Sequence, residues 1–173
     1  MSNGSATALL REQHRLILRV VDAFERTLAD SALPPRTRLE SFITFFRLFT
    51  DACHHGGEED VLFESMEEEG VGGGPIDALR EEHRHGRALV RALADDLART
   101  DDAAFRERAE DYIDFIRAHI AREDEGLFDV ADNVLEGPAC ARVCDAYETL
   151  CRRRFEGFSL EQLERLAAGL IDQ

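Results

Sequence analysis

Two stretches of the sequence carry the same pattern of potential metal ligands and decide the fold. Residues 54–63 read HHGGEEDVLF, and residues 119–128 read HIAREDEGLF. In each stretch a glutamate follows a histidine by four positions. On a helix two such side chains lie on one face, with their Cβ atoms about 5–6 Å apart. Each stretch is therefore suited to place an imidazole on one metal ion and a carboxylate on a second ion.

A shorter repeat precedes each of these stretches. Residues 11–15 read REQHR and residues 80–84 read REEHR, so each half of the chain adds one more histidine. Imidazole and carboxylate ligands are typical of iron or manganese, whereas a closed structural zinc site usually includes thiolates. We interpret the pattern as a two-metal site across a pseudo-twofold axis, with six ligands: His14, His54, Glu58, His83, His119 and Glu123.

Apolar residues recur at helical spacing throughout the chain, and no segment alternates in the manner of a strand. The spacing predicts four long helices at about 5–30, 36–69, 76–98 and 102–131. Short turns between long helices favour an all-α, up-down-up-down antiparallel four-helix bundle. We predict a single domain, 1–173, with its bundle core at about 8–132.

A helical extension is predicted at about 138–173. It begins after the helix-breaking pair Gly137-Pro138, and its first helix is expected to turn Val143, Tyr147 and Leu150 inward. Ser159 with Gln162 has the spacing of a capping box, which predicts the start of a last helix.

The six candidate ligands lie on the same helical stripes as the core Leu, Ile, Val and Phe residues. A buried carboxylate or imidazole is costly unless it is paired, hydrogen-bonded or bound to a metal. The inward-facing stripe of the fourth predicted helix is expected to include Val130. The apolar walls of the site are expected to include Phe46, Val61, Leu79 and Ile116.

Composition limits the function classes. The net charge of −15 argues against nucleic acid and anionic membranes as partners, because both require basic patches. No apolar run approaches the roughly 18 residues of a membrane span, and residues 1–10 lack the features of a signal peptide. We therefore expect a cytoplasmic protein with reduced cysteines.

The repeats and the two His-x-x-x-Glu pairs resemble hemerythrin-like (HHE cation-binding) domain proteins, over roughly residues 8–132. The resemblance implies a four-helix bundle that holds two iron ions (Fe2+/Fe3+) with an oxo- or hydroxo-type bridge. Manganese or a mixed metal pair is an alternative. Members of this family bind dioxygen, sense oxygen or iron, or act on peroxide and nitric oxide.

One ligand expected from the resemblance is missing. Oxygen-carrying members have two histidines four apart on the third helix, and here Leu79 stands four residues before His83. His55 and Tyr112 are two candidates for the missing ligand, and an open position is a third possibility. Oxygen carriers also place the fourth-helix carboxylate five residues after the histidine, which would be Asp124, although the internal repeat favours Glu123.

We therefore expect a di-iron protein that binds or senses dioxygen or another small oxidant. The alternatives are an oxidoreductase acting on peroxide or nitric oxide, and an iron- or redox-sensing regulator with a protein partner. Gly56-Gly57 lies inside the second-helix ligand pair, where glycine is unfavourable by about 1 kcal/mol relative to alanine. These glycines either are tolerated, open a path to the metals, or let another segment approach.

Overall fold

The computed structural model describes residues 5–172, which form a helical bundle without a β-sheet. The prediction of an all-α fold is therefore confirmed. Four of the helices are regular: α1 is Ala8–Leu28, α3 is Gly74–Arg99, α5 is Pro138–Cys151 and α6 is Leu160–Ile171. Ser159 and Gln162 form the predicted capping box at the start of α6.

The other two helices, α2 and α4, each include π-helical turns. Helix α2 runs through α-helical Arg36–Phe45, π-helical Phe46–His55 and Glu58–Phe63, and α-helical Glu64–Glu68. Helix α4 runs through α-helical Asp102–Arg122, π-helical Glu123–Leu127 and α-helical Phe128–Val134. The π-helical turns contain His54, Glu58 and Glu123, and π-helical turns occur frequently at functional sites.

The four long helices surround one interior. Helix α1 contacts α2 and α4, and α3 also contacts α2 and α4. Helix α5 packs against the second half of α2, and α6 packs against α1 and α2. The up-down-up-down order stays a prediction. No helix among residues 5–172 has the length and hydropathy needed to cross a membrane.

The interior contains two separate apolar clusters with a polar layer between them. The large core includes Phe24, Phe46, Phe105 and Ile116, together with residues of α6. The small core includes Leu10, Phe63, Leu79 and Phe128, together with residues of α5. On every long helix the candidate ligands lie between a residue of one core and a residue of the other. These flanking pairs are Leu10 and Ile17, Cys53 and Leu62, Leu79 and Leu89, and Ile116 and Leu127.

The prediction that Val130 faces inward is wrong. Its side chain is 44% exposed, whereas Phe128 and Ala131 are fully buried. The π-helical turn at Glu123–Leu127 explains the difference. Because its hydrogen bonds span five residues rather than four, it adds one residue to the turn and moves the inward face one position along the chain.

Gly57 is the point where α5 approaches α2. A Cβ atom at Gly57 would lie 2.9 Å from Leu150 Cδ2 and 3.2 Å from Tyr147 Cε1, both on α5. A Cβ at Gly56 would have only the Asp51 backbone oxygen nearby, at 3.7 Å. Of the three explanations for the glycine pair, close approach of another segment is therefore the one that fits Gly57.

We predict opposite effects of alanine at these adjacent glycines. Gly56→Ala should raise the free energy of unfolding by up to about 1 kcal/mol, because alanine favours the helix and has room for its Cβ. Gly57→Ala should be less stable than Gly56→Ala by at least about 1 kcal/mol, because its Cβ overlaps the α5 side chains. Urea denaturation of both variants measures the difference, and equal stabilities would contradict the close packing of α5.

Candidate metal centre

The structure brings the six predicted ligands together in the polar layer, and His55 joins them. The ligand atoms form two groups, in each of which all atoms lie within 4.8 Å of one another. The first group is His14, His54, Glu58 and Glu123. The second group is His55, Glu58, His83 and His119. All seven side chains are buried, and Glu58 belongs to both groups.

Both carboxylates reach toward both groups. Glu58 Oε1 lies 3.5 Å from His54 Nε2, and its Oε2 lies 3.3 Å from His83 Nε2. Glu123 Oε2 lies 3.3 Å from His14 Nε2, and its Oε1 lies 3.3 Å from His119 Nε2. Each carboxylate thus turns one oxygen to each group, which is the arrangement required to bridge two ions.

Four of the histidines are oriented by a hydrogen bond at the far side of the ring. In each case Nδ1 meets a carboxylate or amide oxygen at 2.7–2.9 Å, so Nδ1 carries the hydrogen and Nε2 is directed to the centre. The pairs are His14 with Asp124, His54 with Gln13, His83 with Glu59, and His119 with Glu82.

Arginines hold the three carboxylates that accept these bonds. Arg87 donates to Glu59 at 2.9 Å, and Arg122 donates to Glu82 at 2.8 Å. Arg11 lies 3.6 Å from Asp124 Oδ1 and donates to the Asp124 backbone oxygen at 3.1 Å. A guanidinium beside each acid fixes its position and so limits the movement of the attached imidazole.

The hydrogen bonds of the two lone histidines cross between the two halves of the chain. Glu59, which follows the first-repeat glutamate, accepts from His83, the lone histidine of the second repeat. Asp124, which follows the second-repeat glutamate, accepts from His14, the lone histidine of the first repeat. This reciprocal arrangement agrees with the predicted pseudo-twofold relation between the halves.

Three phenylalanines cover the outer faces of the imidazoles. Phe63 stacks on His83 with ring centres 5.7 Å apart, and Phe128 stacks on His14 at 5.1 Å. These two phenylalanines occupy matching positions in the repeats, although the sequence reasoning assigned them no role. Phe115 stacks on His119 at 5.6 Å and lies outside the repeats. Together they replace water around the ligands with apolar surface.

Ten buried donor or acceptor atoms of the centre have no hydrogen-bond partner among the described residues. They are Nε2 of His14, His54, His83 and His119, both ring nitrogens of His55, and all four carboxylate oxygens of Glu58 and Glu123. Buried polar atoms are nearly always paired, so this concentration requires an additional species. Nitrogen and carboxylate atoms converging in two groups fit two metal ions.

Burial and the nearby carboxylates shift the pKa values of four of the histidines in different directions. Burial lowers the pKa of His54 and His55 well below the usual range, so both are neutral imidazoles. Burial alone would also lower the pKa of His14 and His83, but nearby carboxylates outweigh it and raise these pKa values to about 9 and about 11. At neutral pH these two rings therefore hold protons that a metal ion would have to displace.

The candidates for the missing ligand occupy different places. His55 lies in the second group, stacked on His83 with ring centres 4.1 Å apart. Tyr112 packs against Phe46 in the large core, with ring centres 4.7 Å apart. Leu79 belongs to the small core. With His55 included, the second group has three imidazoles and the first group has two.

Gln13, Glu82 and the stacked phenylalanines are site residues that the sequence reasoning missed. Gln13 and Glu82 each directly precede a lone histidine, so the repeat itself contained the signal for them. Tyr147 was predicted to be inward, and it is 3% exposed, but nothing in the sequence placed it against Gly57 of α2. Its position depends on how α5 folds back on α2.

We predict that His55→Ala lowers the metal content from two ions per chain toward one. The substitution removes one of three imidazoles from the second group and leaves the first group complete. His85→Ala is the matched control, because His85 is exposed and lies outside both groups. Metal analysis after desalting measures the effect, and an unchanged metal content in His55→Ala would exclude His55 as a required ligand.

Comparisons with known proteins agree with this geometry. The chain is 30% identical over 159 residues to uncharacterised proteins of Mycobacterium bovis and Mycobacterium tuberculosis, an alignment that covers 85% of the chain. The chain spans 61% of the length of these relatives. No solved structure matches it. The family model of the hemerythrin HHE cation-binding domain matches residues 5–131, and the chain therefore belongs to this family.

Proposed function

We propose that the protein holds two iron ions in its bundle core and binds or senses dioxygen there. The observation that carries this proposal is the set of ten buried, unpartnered nitrogen and oxygen atoms in the two groups. The fully buried Glu58 and Glu123 would bridge the ions, and the five imidazoles would complete the ligand set. When bound, a pair of ferrous ions supplies the electrons that a small oxidant takes up.

The types of ligand favour iron or manganese over zinc. Both groups consist of imidazole and carboxylate, and neither contains a thiolate. The buried Cys53 belongs to the large core and lies outside both groups. Burial raises the pKa of this thiol to about 12, so it is a poor source of thiolate.

The unequal groups support binding of an additional small molecule. The first group has one imidazole fewer than the second group. We propose that a small oxidant binds at the first group, next to His14 and His54. The apolar cores above and below the layer, with the stacked phenylalanines, would limit the access of water and protons.

An apolar cleft offers an approach for a small uncharged molecule. It has a volume of about 470 Å³ and lies between the start of α3 and the end of α4. Its lining includes Leu79, four residues before His83, and Glu82, which accepts the hydrogen bond from His119. We propose that dioxygen reaches the bundle interior through this cleft. We also propose that the protein is cytoplasmic.

The second candidate function is an oxidoreductase acting on peroxide or nitric oxide. The lower number of imidazoles in the first group favours it, because an open side also allows turnover. Rates of peroxide or nitric oxide consumption above those of the same amount of free iron would support this function. Rates equal to those of free iron would exclude it.

We predict a reversible spectral response to dioxygen. The reduced, iron-loaded protein should develop new visible absorption when it is equilibrated with air, and argon should restore the original spectrum. Permanent oxidation without recovery would favour the oxidoreductase. A spectrum that does not change with air would contradict binding of dioxygen at the centre.

Two variants separate the centre from surface effects. His14→Ala removes an imidazole from the first group and should lose the response. His85→Ala leaves both groups intact and should respond as the unmodified protein does.

A further inference from the structure

Tyr147 has a buried hydroxyl that the proposed iron ligand set does not use. The side chain is 3% exposed, and its hydroxyl oxygen has no hydrogen-bond partner among the described residues. A buried hydroxyl without a partner is unfavourable, so native proteins rarely retain one without a reason. Packing of the ring alone would not require a hydroxyl, since phenylalanine has the same ring.

The approach of Tyr147 depends on a break in the internal repeat. Gly57 precedes the bridging Glu58, and the matching residue of the second repeat is Arg122, before Glu123. Arg122 is half-exposed and pairs with Glu82. A side chain at Gly57 would instead collide with the Tyr147 ring and with Leu150. The repeat therefore loses its side chain at the position where α5 brings a tyrosine to the bundle.

The packing of Tyr147 against Gly57, directly before Glu58, brings its ring close to the shared carboxylates, and its electrostatics agree with this position. Burial raises the pKa of Tyr147 well above its usual value, and the charges of Glu58 and Glu123 raise it further. Tyr112, the other tyrosine, is also buried, but the charge that acts on it is that of Asp51. Of the two tyrosines, only Tyr147 is affected by the charges of both Glu58 and Glu123.

The shared carboxylates indicate which group Tyr147 faces. Glu58 and Glu123, the two carboxylates whose charges act on Tyr147, both belong to the first group, whereas the second group contains only Glu58. The Tyr147 ring also packs against the position of Gly57, directly before Glu58. The first group has two imidazoles, and it is the group at which we propose that a small molecule binds.

We propose that Tyr147 is a ligand-binding residue, whose hydroxyl donates a hydrogen bond to a small anion or oxygen molecule in the first group. This proposal rests on the proposed function in requiring two irons, but it does not require that the physiological ligand is dioxygen. It gives the C-terminal helix α5 a direct part in the site, in addition to covering the small core.

Azide binding to the oxidised, iron-loaded protein tests this proposal. Azide is a small anion that accepts hydrogen bonds, and its binding to ferric iron is followed by visible absorption. Tyr147→Phe keeps the ring and removes only the hydroxyl, so it should retain two irons per chain. It should weaken azide binding by about threefold to tenfold, the effect of losing one hydrogen bond.

Tyr112→Phe is the matched control, because it also removes one buried hydroxyl but from the large core. Its azide affinity should equal that of the unmodified protein. Equal azide affinity in Tyr147→Phe would overturn the proposal and leave the ring as packing alone. Failure of the unmodified iron protein to bind azide would also overturn it, because the first group would then have no open side.

Two further outcomes distinguish the possible failures. If the oxidised protein has a visible absorption band that Tyr147→Phe loses in the absence of azide, Tyr147 is itself a ligand, and the donor role is overturned. If the unmodified protein does not respond to dioxygen while the azide effect of Tyr147→Phe is present, the dioxygen function fails and the role of Tyr147 is supported.

Discussion

The structure depends on one constraint, the burial of seven ionisable side chains in a layer between two apolar cores. Isolated charges in such an interior are strongly unfavourable. Even so, the ligand atoms that face inward have no hydrogen-bond partner among the described residues. The protein provides hydrogen bonds only on the outward sides of four of the five imidazoles. The bundle is therefore organised so that metal ions complete its core.

The two halves of the chain contribute to this layer almost symmetrically. The exceptions make the two groups of ligands different. Each lone histidine is oriented by an acid of the other half and covered by a phenylalanine of the other half. The symmetry breaks at His55 and Gly57, where the second repeat has Ile120 and Arg122. One change adds an imidazole to the second group, and the other lets α5 pack closely against α2.

Much of this arrangement could be predicted from the sequence, because it is encoded by local spacing. The helices, the inward stripes and the convergence of six side chains all follow from the 3.6-residue period. Val130 could not be predicted correctly, since the π-helical turn at Glu123–Leu127 shifts the register without a sequence signal. Spacing also does not encode tertiary packing. That packing decides that His55, and not Tyr112, joins the second group, and it decides where Tyr147 approaches α2.

The most direct test of the account is a crystal structure of the iron-loaded protein with anomalous scattering data collected at the iron absorption edge. We expect two peaks of anomalous density, about 3.5–4 Å apart, between Glu58 and Glu123. The peak surrounded by His55, His83 and His119 should have one more imidazole than its neighbour. A single peak, or two peaks outside the layer between the apolar cores, would contradict the account.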